Sequence, residues 1–210
     1  MEPEKAYDLW SEQYDTNSNK TRDLEGIALR SELADIKFKT CLEIGCGTGK
    51  NTEWLLTRAE KITAADLSAG MLEKAKRKIN SPKVLFVNCD IRKEWDFVTQ
   101  KYDLVSFSLV LEHIEDLDHI FKESAKVLNP GGYLYAGELH PYKQYNGTKA
   151  GFESEEGKKI ATCFNHNISD FIIPAKKYGM KITEVNEYFD NDDRTQMPRI
   201  LTILFRKNSG

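Results

Sequence analysis

Leu42-Glu43-Ile44-Gly45-Cys46-Gly47-Thr48-Gly49 is the stretch that decides the fold. An apolar run ends in three glycines within five positions, and a helix is predicted from Lys50 through Thr52-Glu53-Trp54-Leu55-Leu56. Glycine weakens any regular element, so three together mark unusual dihedrals or a close backbone approach. At a strand-to-helix turn that approach is to a ligand, and the free N–H groups there suit an anion. Ile62-Thr63-Ala64-Ala65-Asp66, ending 21 positions after Gly45, reads as the next strand with an acid at its C-terminal end. An acid at about that distance is placed to accept hydrogen bonds from a ribose.

Outward from this pair, residues 40–138 alternate strand and helix. Strands are predicted over 40–44, 61–66, 83–88, 102–107 and 132–138. Helices are predicted over 50–58, 69–79 and 116–128, with an irregular piece near 93–100. Ser68 is a candidate N-cap, and Leu72, Ala75 and Ile79 give the following helix an apolar stripe. Asn129-Pro130-Gly131-Gly132 breaks the helix over 116–128. Alternation of this kind implies an α/β, doubly wound, mostly parallel sheet covered on both faces. Residues 180–189 and 199–206 read as two more strands, joined at Asp190-Asn191-Asp192-Asp193 without a helix, and so as an antiparallel hairpin. The sum is a Rossmann-like sheet of seven strands.

A chain of 210 residues fits one domain. Two segments fall outside the alternation. Residues 1–36 are helical, with Tyr7, Trp10 and Tyr14 at i, i+3 and i+7 on one face. Residues 139–168 form a long insertion with little regular structure, holding His140-Pro141-Tyr142, Tyr145, Phe152, a charged run at 153–159 and Phe164-Asn165-His166. Both read as lid segments, because long aromatic connections in a compact domain are usually functional. The net charge of −3 provides no basic field for nucleic acid, and no apolar run approaches a membrane span. Cys41, Cys46, Cys89 and Cys163 form no C-x-x-C pair and read as reduced thiols in a cytoplasmic protein. No compact ligand set for a metal is visible, and none is expected.

The turn is Gly45-x-Gly47-x-Gly49 rather than the dinucleotide form G-x-G-x-x-G, which makes a poorer cradle for a pyrophosphate. In wording and spacing, LEIGCGTGKNT followed by AADLS resembles the class I S-adenosylmethionine-dependent methyltransferases. Tyr7-Asp8-Leu9-Trp10 through Gln13-Tyr14-Asp15 resembles the N-terminal segment of their small-molecule, ubiquinone/biotin-pathway branch. The resemblance implies S-adenosylmethionine as cofactor, its amino-acid part against Gly45, Cys46 and Gly47. Glu43 approaches its ammonium or fixes the loop, and Asp66 accepts from both ribose hydroxyls. Leu67 and Met71 pack on adenine, while Asp90, with Ile91, accepts from the adenine amino group. Ser108 and Leu109 lie under the methionine portion, Tyr14 contacts the cofactor, and Arg22 with Thr21 reaches its carboxylate.

The same resemblance bears on the acceptor. Ser108-Leu109-Val110 lacks the Asn/Asp-Pro-Pro-aromatic stretch of enzymes that methylate bases, and paired glutamates of the protein-arginine type are also missing. A small-molecule methyl acceptor at an O, N or C atom is what remains, with the chain a monomer or homodimer. A neutral acceptor can need a base. His140, Tyr142, Tyr145 and His166 are candidates by their position in the insertion, and His113 is a candidate substrate-side group. Two other readings stand beside this one: a protein that binds S-adenosylmethionine without turnover, and a nicotinamide oxidoreductase, against which the glycine spacing and a missing Tyr-x-x-x-Lys pair count.

Overall fold

The computed structural model describes residues 1–154 and 157–209. Helices α1 (Pro3–Trp10) and α2 (Lys20–Glu32) precede β1 (Thr40–Ile44), α3 (Lys50–Leu55), β2 (Lys61–Asp66), α4 (Ala69–Lys78) and β3 (Val84–Asn88). Then follow β4 (Tyr102–Ser108), a single 3₁₀ turn over Leu111–His113, α5 (Leu117–Val127) and β5 (Leu128–Leu139). Helix α6 (Pro141–Tyr145), strands β6 (Gly151–Ser154) and β7 (Gly157–Ile160), α7 (Ile168–Lys177), β8 (Met180–Tyr188) and β9 (Ile200–Lys207) complete the order.

Seven strands form one sheet in the order β3-β2-β1-β4-β5-β9-β8. All neighbours from β3 to β5 pair parallel, and β9 pairs antiparallel with both β5 and β8. The hairpin is therefore inserted with its second strand inward, leaving β8 at the edge. The central strands β1, β2, β4, β5 and β9 are buried over most of their length, whereas β8 and β3 at the edges are largely exposed or half-buried. Leu42, Ile44, Val105, Phe107, Leu134 and Ala136 enter one core, together with α5 and α7. Cys41, Ile62, Ala64, Leu104 and Tyr135 enter the other, where Leu29 and Leu33 cover them. The change of face at every residue is the period of two of an extended strand.

Strand order reverses between β1 and β4, and the carboxyl ends of β1, β2 and β4 lie side by side there. In open α/β sheets such a switch point opens a crevice for ligands. The two segments outside the alternation differ from expectation in their regularity. The N-terminal one is two helices broken over 11–19, with the Asn19 side chain accepting from Arg22 N at 3.0 Å to cap α2. The insertion holds α6 and the antiparallel β6–β7 pair, so it is more regular than its composition suggests. Residues 155 and 156 of its charged run lie outside the described residues. Among the described residues, no helix is long and apolar enough to cross a membrane.

Candidate active site

The Gly-rich turn is pinned to the neighbouring strand by its own backbone. Gly45 N and Cys46 N both donate to Ala65 O, at 2.8 and 3.1 Å. Gly45 has φ +72°, and a Cβ there would lie 2.0 Å from Val110 Cγ2, so only glycine fits. Gly47, at φ +54°, has nothing within 4 Å of where a Cβ would stand. The first glycine is required by packing, and the second faces open space.

Asp66 ends β2 and clamps this turn. One carboxylate oxygen accepts from Gly47 N and the other from Ser68 N, both at 2.8 Å. Burial raises its pKa, while the two backbone N–H groups oppose the rise. Ser68 caps α4 as its sequence suggested, accepting from Met71 N at 3.1 Å. Glu43, one residue from the end of β1, is buried and accepts from Thr52 Oγ1 at 2.6 Å. Burial pushes its carboxyl up to about 8. Beyond β4, Leu109 sits at φ +57°, a left-handed conformation that is costly for a branched side chain, held by Leu109 N donating to Gly137 O at 2.8 Å.

Three adjoining hollows share Leu109 in their walls. The main cleft, about 770 Å³ counting the solvent at its mouth, runs past Gly45, Gly47, Asp66, Leu67, Asp90, Ile91 and Ser108. A smaller recess continues between Glu43, Cys46, Arg22 and Glu25. A second chamber, about 670 Å³ by the same measure, lies between the N-terminal helices and the insertion, lined by Tyr7, Trp10, Tyr14, Arg22, Glu112 and Lys149 among others. Tyr7 and Tyr14 border both the main cleft and this chamber.

The methyltransferase domain family matches residues 42–136, the turn through β5. A methyltransferase of Emericella nidulans whose role is uncharacterised is 30% identical over 89% of this chain and 78% of its own length. The malonyl-[acyl-carrier protein] O-methyltransferase of Priestia megaterium is 38% identical over 44% of this chain and only 34% of that protein. A crystal structure described as an S-adenosylmethionine-dependent methyltransferase from Listeria monocytogenes superposes with TM-score 0.74 and 26% identity, covering 89% of this chain and 99% of that one. The chain belongs to the S-adenosylmethionine-dependent methyltransferases. Its cofactor is S-adenosylmethionine, which removes the nicotinamide reading.

The methyltransferase cleft fits that cofactor by its own geometry. Open space stands before Gly47, a carboxylate stands at the β2 end, and the buried Arg22 Nε has no hydrogen-bond partner. Gly45, Cys46, Gly47, Glu43, Asp66, Leu67, Asp90, Ile91, Ser108, Leu109, Tyr14 and Arg22 all border the cleft or its recess. Met71 does not border it and is a correction. Helix α1 docks on α4, and Met71 packs beneath Trp10 and Phe152 instead. Asp90 is already occupied on both oxygens by Arg92, whose Nε and Nη2 donate at 2.8 and 3.0 Å, and this pairing lowers its pKa.

The candidate bases separate sharply. His113 borders the cleft. Its Nδ1 lies 2.8 Å from Thr162 O, a carbonyl that can only accept, so Nδ1 carries the hydrogen. Nε2 is then free to accept from Tyr7 Oη, 2.9 Å away. His140, Tyr142 and His166 lie elsewhere and are corrected. The His140 ring is fully buried, with Nδ1 accepting from Tyr142 N to cap α6 and Nε2 donating to Glu187 at 2.9 Å. Tyr142 is exposed against the His140 ring, and Tyr145 is exposed with its hydroxyl on Asn167. His166 Nε2 donates to Ile114 O at 2.7 Å, and its ring packs edge-on to Phe171. His-Pro is a helix-start pattern, Pro being favoured at the first helical position, and was the available signal for the capping role of His140.

Sequence reasoning missed Glu25, Arg92 and Glu112. Glu25 comes from α2 into the recess, fully buried, accepting from Asn51 Nδ2 and Tyr135 Oη, each at 3.1 Å. It lies in no motif, and only the packing of α2 against β5 and β9 brings it there. Two carboxylates of the N-terminal segment also reach the body. Asp8 accepts from Ser68 Oγ at 2.5 Å and Gly70 N at 3.1 Å, and Asp15 accepts from Thr48 Oγ1 at 2.6 Å.

Proposed function

We propose that this methyltransferase transfers a methyl group to an O, N or C atom of a small molecule held in the chamber between its two lid segments. The single observation that carries the proposal is that chamber and cleft adjoin, sharing Leu109, Tyr7 and Tyr14 in their walls. A nucleic-acid or protein substrate would call for a flat open surface, whereas this chamber is a recess walled in part by Trp10, which stacks on Phe152 at 5.4 Å. The net charge of −3 and the four free cysteines fit a cytoplasmic enzyme, working as a monomer or homodimer away from nucleic acid and membrane. Residues 1–210 act as one domain with lids over 1–36 and 139–168.

In this reading Gly45, Cys46 and Gly47 cradle the amino-acid part of S-adenosylmethionine, with Arg22 toward its carboxylate and Glu43 behind the turn. Asp66 turns its remaining acceptor capacity to the ribose, and Leu67 and Ile91 flank the adenine. Asp90 shares its carboxylate between Arg92 and the adenine amino group. The cofactor supplies an activated methyl on a sulfonium, so holding the acceptor in line with it can supply most of the rate. Tyr7 faces the junction where the acceptor atom would stand. Burial keeps its phenol protonated, with a pKa raised well above the usual value. It therefore acts as a relay: an acceptor proton passes to Tyr7 Oη while the Tyr7 proton passes to His113 Nε2.

The test is methyl transfer from labelled S-adenosylmethionine to a panel of small metabolites, alongside RNA and a protein extract. The expected outcome is label on a small molecule, lost roughly a hundredfold in Tyr7→Phe with S-adenosylhomocysteine binding kept. Label on RNA or protein would overturn the reading.

A further inference from the structure

Six buried side-chain polar atoms among the described residues have no hydrogen-bond partner, and three of them belong to residues lining the second chamber: Trp10 Nε1, Arg22 Nε and Glu112 Oε2. Folded proteins leave few such atoms unpaired, because each costs its full desolvation. Trp10 Nε1 and Arg22 Nε are donors, and Glu112 Oε2 is the one acceptor of the three, the atom that a ligand N–H would complete. Arg22 Nε still has Asp23 at 3.5 Å, and its Nη atoms are taken by the Tyr14 and Asn17 carbonyls. Trp10 and Glu112 are both more than nine-tenths buried, and Glu112 has only the thiol of Cys163 nearby as a side-chain donor.

Glu112 is the acidic residue among those lining the chamber. It stands in the 3₁₀ turn after β4, where its backbone carbonyl accepts from Phe164 N at 2.7 Å and ties the turn to the insertion. A Cys163 thiol contact is a weak partner for its carboxylate, and burial raises its pKa. A buried carboxylate is most stabilised by a cation that also donates hydrogen bonds. Lys149, also lining the chamber, is exposed and too near solvent to be trapped there. We propose that the acceptor is a small molecule carrying a protonated amine, whose N–H groups are bound by Glu112 Oε2 in the second chamber.

This inference rests on the proposed role of the chamber as the acceptor site. The test is calorimetric titration of protein saturated with S-adenosylhomocysteine, using three probes of similar size: phenethylamine, 2-phenylethanol and 3-phenylpropionate. The amine is expected to bind roughly tenfold or more tightly than the alcohol, and the carboxylate most weakly. Glu112→Gln should abolish the preference for the amine while S-adenosylhomocysteine affinity stays unchanged. Equal binding of amine and alcohol, or a preference that survives Glu112→Gln, overturns the inference and leaves the chamber reading standing. Failure of all three probes with S-adenosylhomocysteine still bound overturns both. Should Glu112→Gln also lose S-adenosylhomocysteine, the ranking of the three probes on the unaltered protein decides.

Discussion

The sheet side of the cleft is held mainly by backbone, whereas the N-terminal lid meets the body mainly through side chains. On the sheet side, Gly45 N and Cys46 N bond Ala65 O and Leu109 N bonds Gly137 O, all backbone to backbone, and the Asp66 carboxylate adds a bond from Gly47 N. On the lid side, Tyr7 stacks on Trp10 at 5.6 Å, Trp10 stacks on Phe152, Tyr7 bonds His113, and Asp8 and Asp15 bond the body. A backbone lattice shared with the central strands opens only when the sheet does. Side-chain contacts of about 1 kcal/mol each can be released a few at a time. On the proposed reading, the cofactor's bed is set in advance, while the chamber assigned to the acceptor opens and closes with α1.

The sharpest break between the halves is expected at two neighbouring glycines. Gly45→Ala places a methyl 2.0 Å from Val110 Cγ2 at a positive φ. Strain and overpacking together should cost roughly 2–5 kcal/mol, read as a large drop in the urea midpoint. Gly47→Ala meets no atom of the protein, so it should cost only the roughly 1–2 kcal/mol of its dihedral. Its methyl occupies the ligand's space, and S-adenosylhomocysteine binding should collapse while most of the stability remains. Equal destabilisation by the two would mean that Gly47 is also a packing residue and that the bed is not open before the turn.

A middle-sized effect is expected where sheet and lid meet. Glu138, near the end of β5, accepts from Val110 N and Leu111 N at 3.1 and 3.0 Å through one oxygen, and the other has no partner. Burial pushes its carboxyl up to about 8, from 4.5 in an exposed chain, as it does for Glu43. Between those values the unfolded chain has released a proton that the folded one keeps. Stability should therefore fall as pH rises from about 4.5, with the loss complete above about 8. Glu138→Gln keeps the oxygen that accepts from Val110 and Leu111 and cannot ionise. Its thermal midpoint should fall less between pH 5.5 and 8 than that of the unaltered protein, and an identical slope would remove Glu138 from the account.

The same division explains what could be read from the residues alone. The turn, the acid ending β2, the alternation of strand and helix and the final hairpin follow from local backbone preferences, and those are written in Gly45, Gly47, Ser68 and Pro130. Side-chain destinations depend on distant partners. Met71 follows an acid-containing strand as an adenine-packing residue should, but α1 closes over it. His140 sits at the fifth strand's carboxyl end as expected, yet Glu187 from β8, 47 positions away, and the start of α6 consume its ring. His113 reads as a candidate substrate-side group, but both of its ring partners, Tyr7 106 positions earlier and Thr162 49 later, are set by the tertiary fold. The regular β6–β7 pair was hidden because its strands carry a charged run rather than an alternating apolar face.

The smallest expected effect isolates the lid. Asp8 lies in α1, and its carboxylate accepts from Ser68 Oγ and Gly70 N. Ser68 is itself the cap of α4, so the lid's acid sits at the positive end of that helix. The same loop carries Asp66 and Leu67, which border the cofactor cleft. Asp8→Ala removes both bonds at a partly exposed site and should cost about 1 kcal/mol of lid docking. Because the lid opens apart from the sheet, little of that cost should reach the global urea midpoint. Hydrogen exchange over residues 3–14 should rise, while exchange in β1 and β4 stays as it was. S-adenosylhomocysteine affinity should fall by roughly fivefold, the equivalent of that docking energy, because the closed lid is part of the bound state. If the midpoint drops by the full amount and the exchange of all these segments rises together, α1 belongs to the core. The chamber would then be a fixed cavity rather than one that closes.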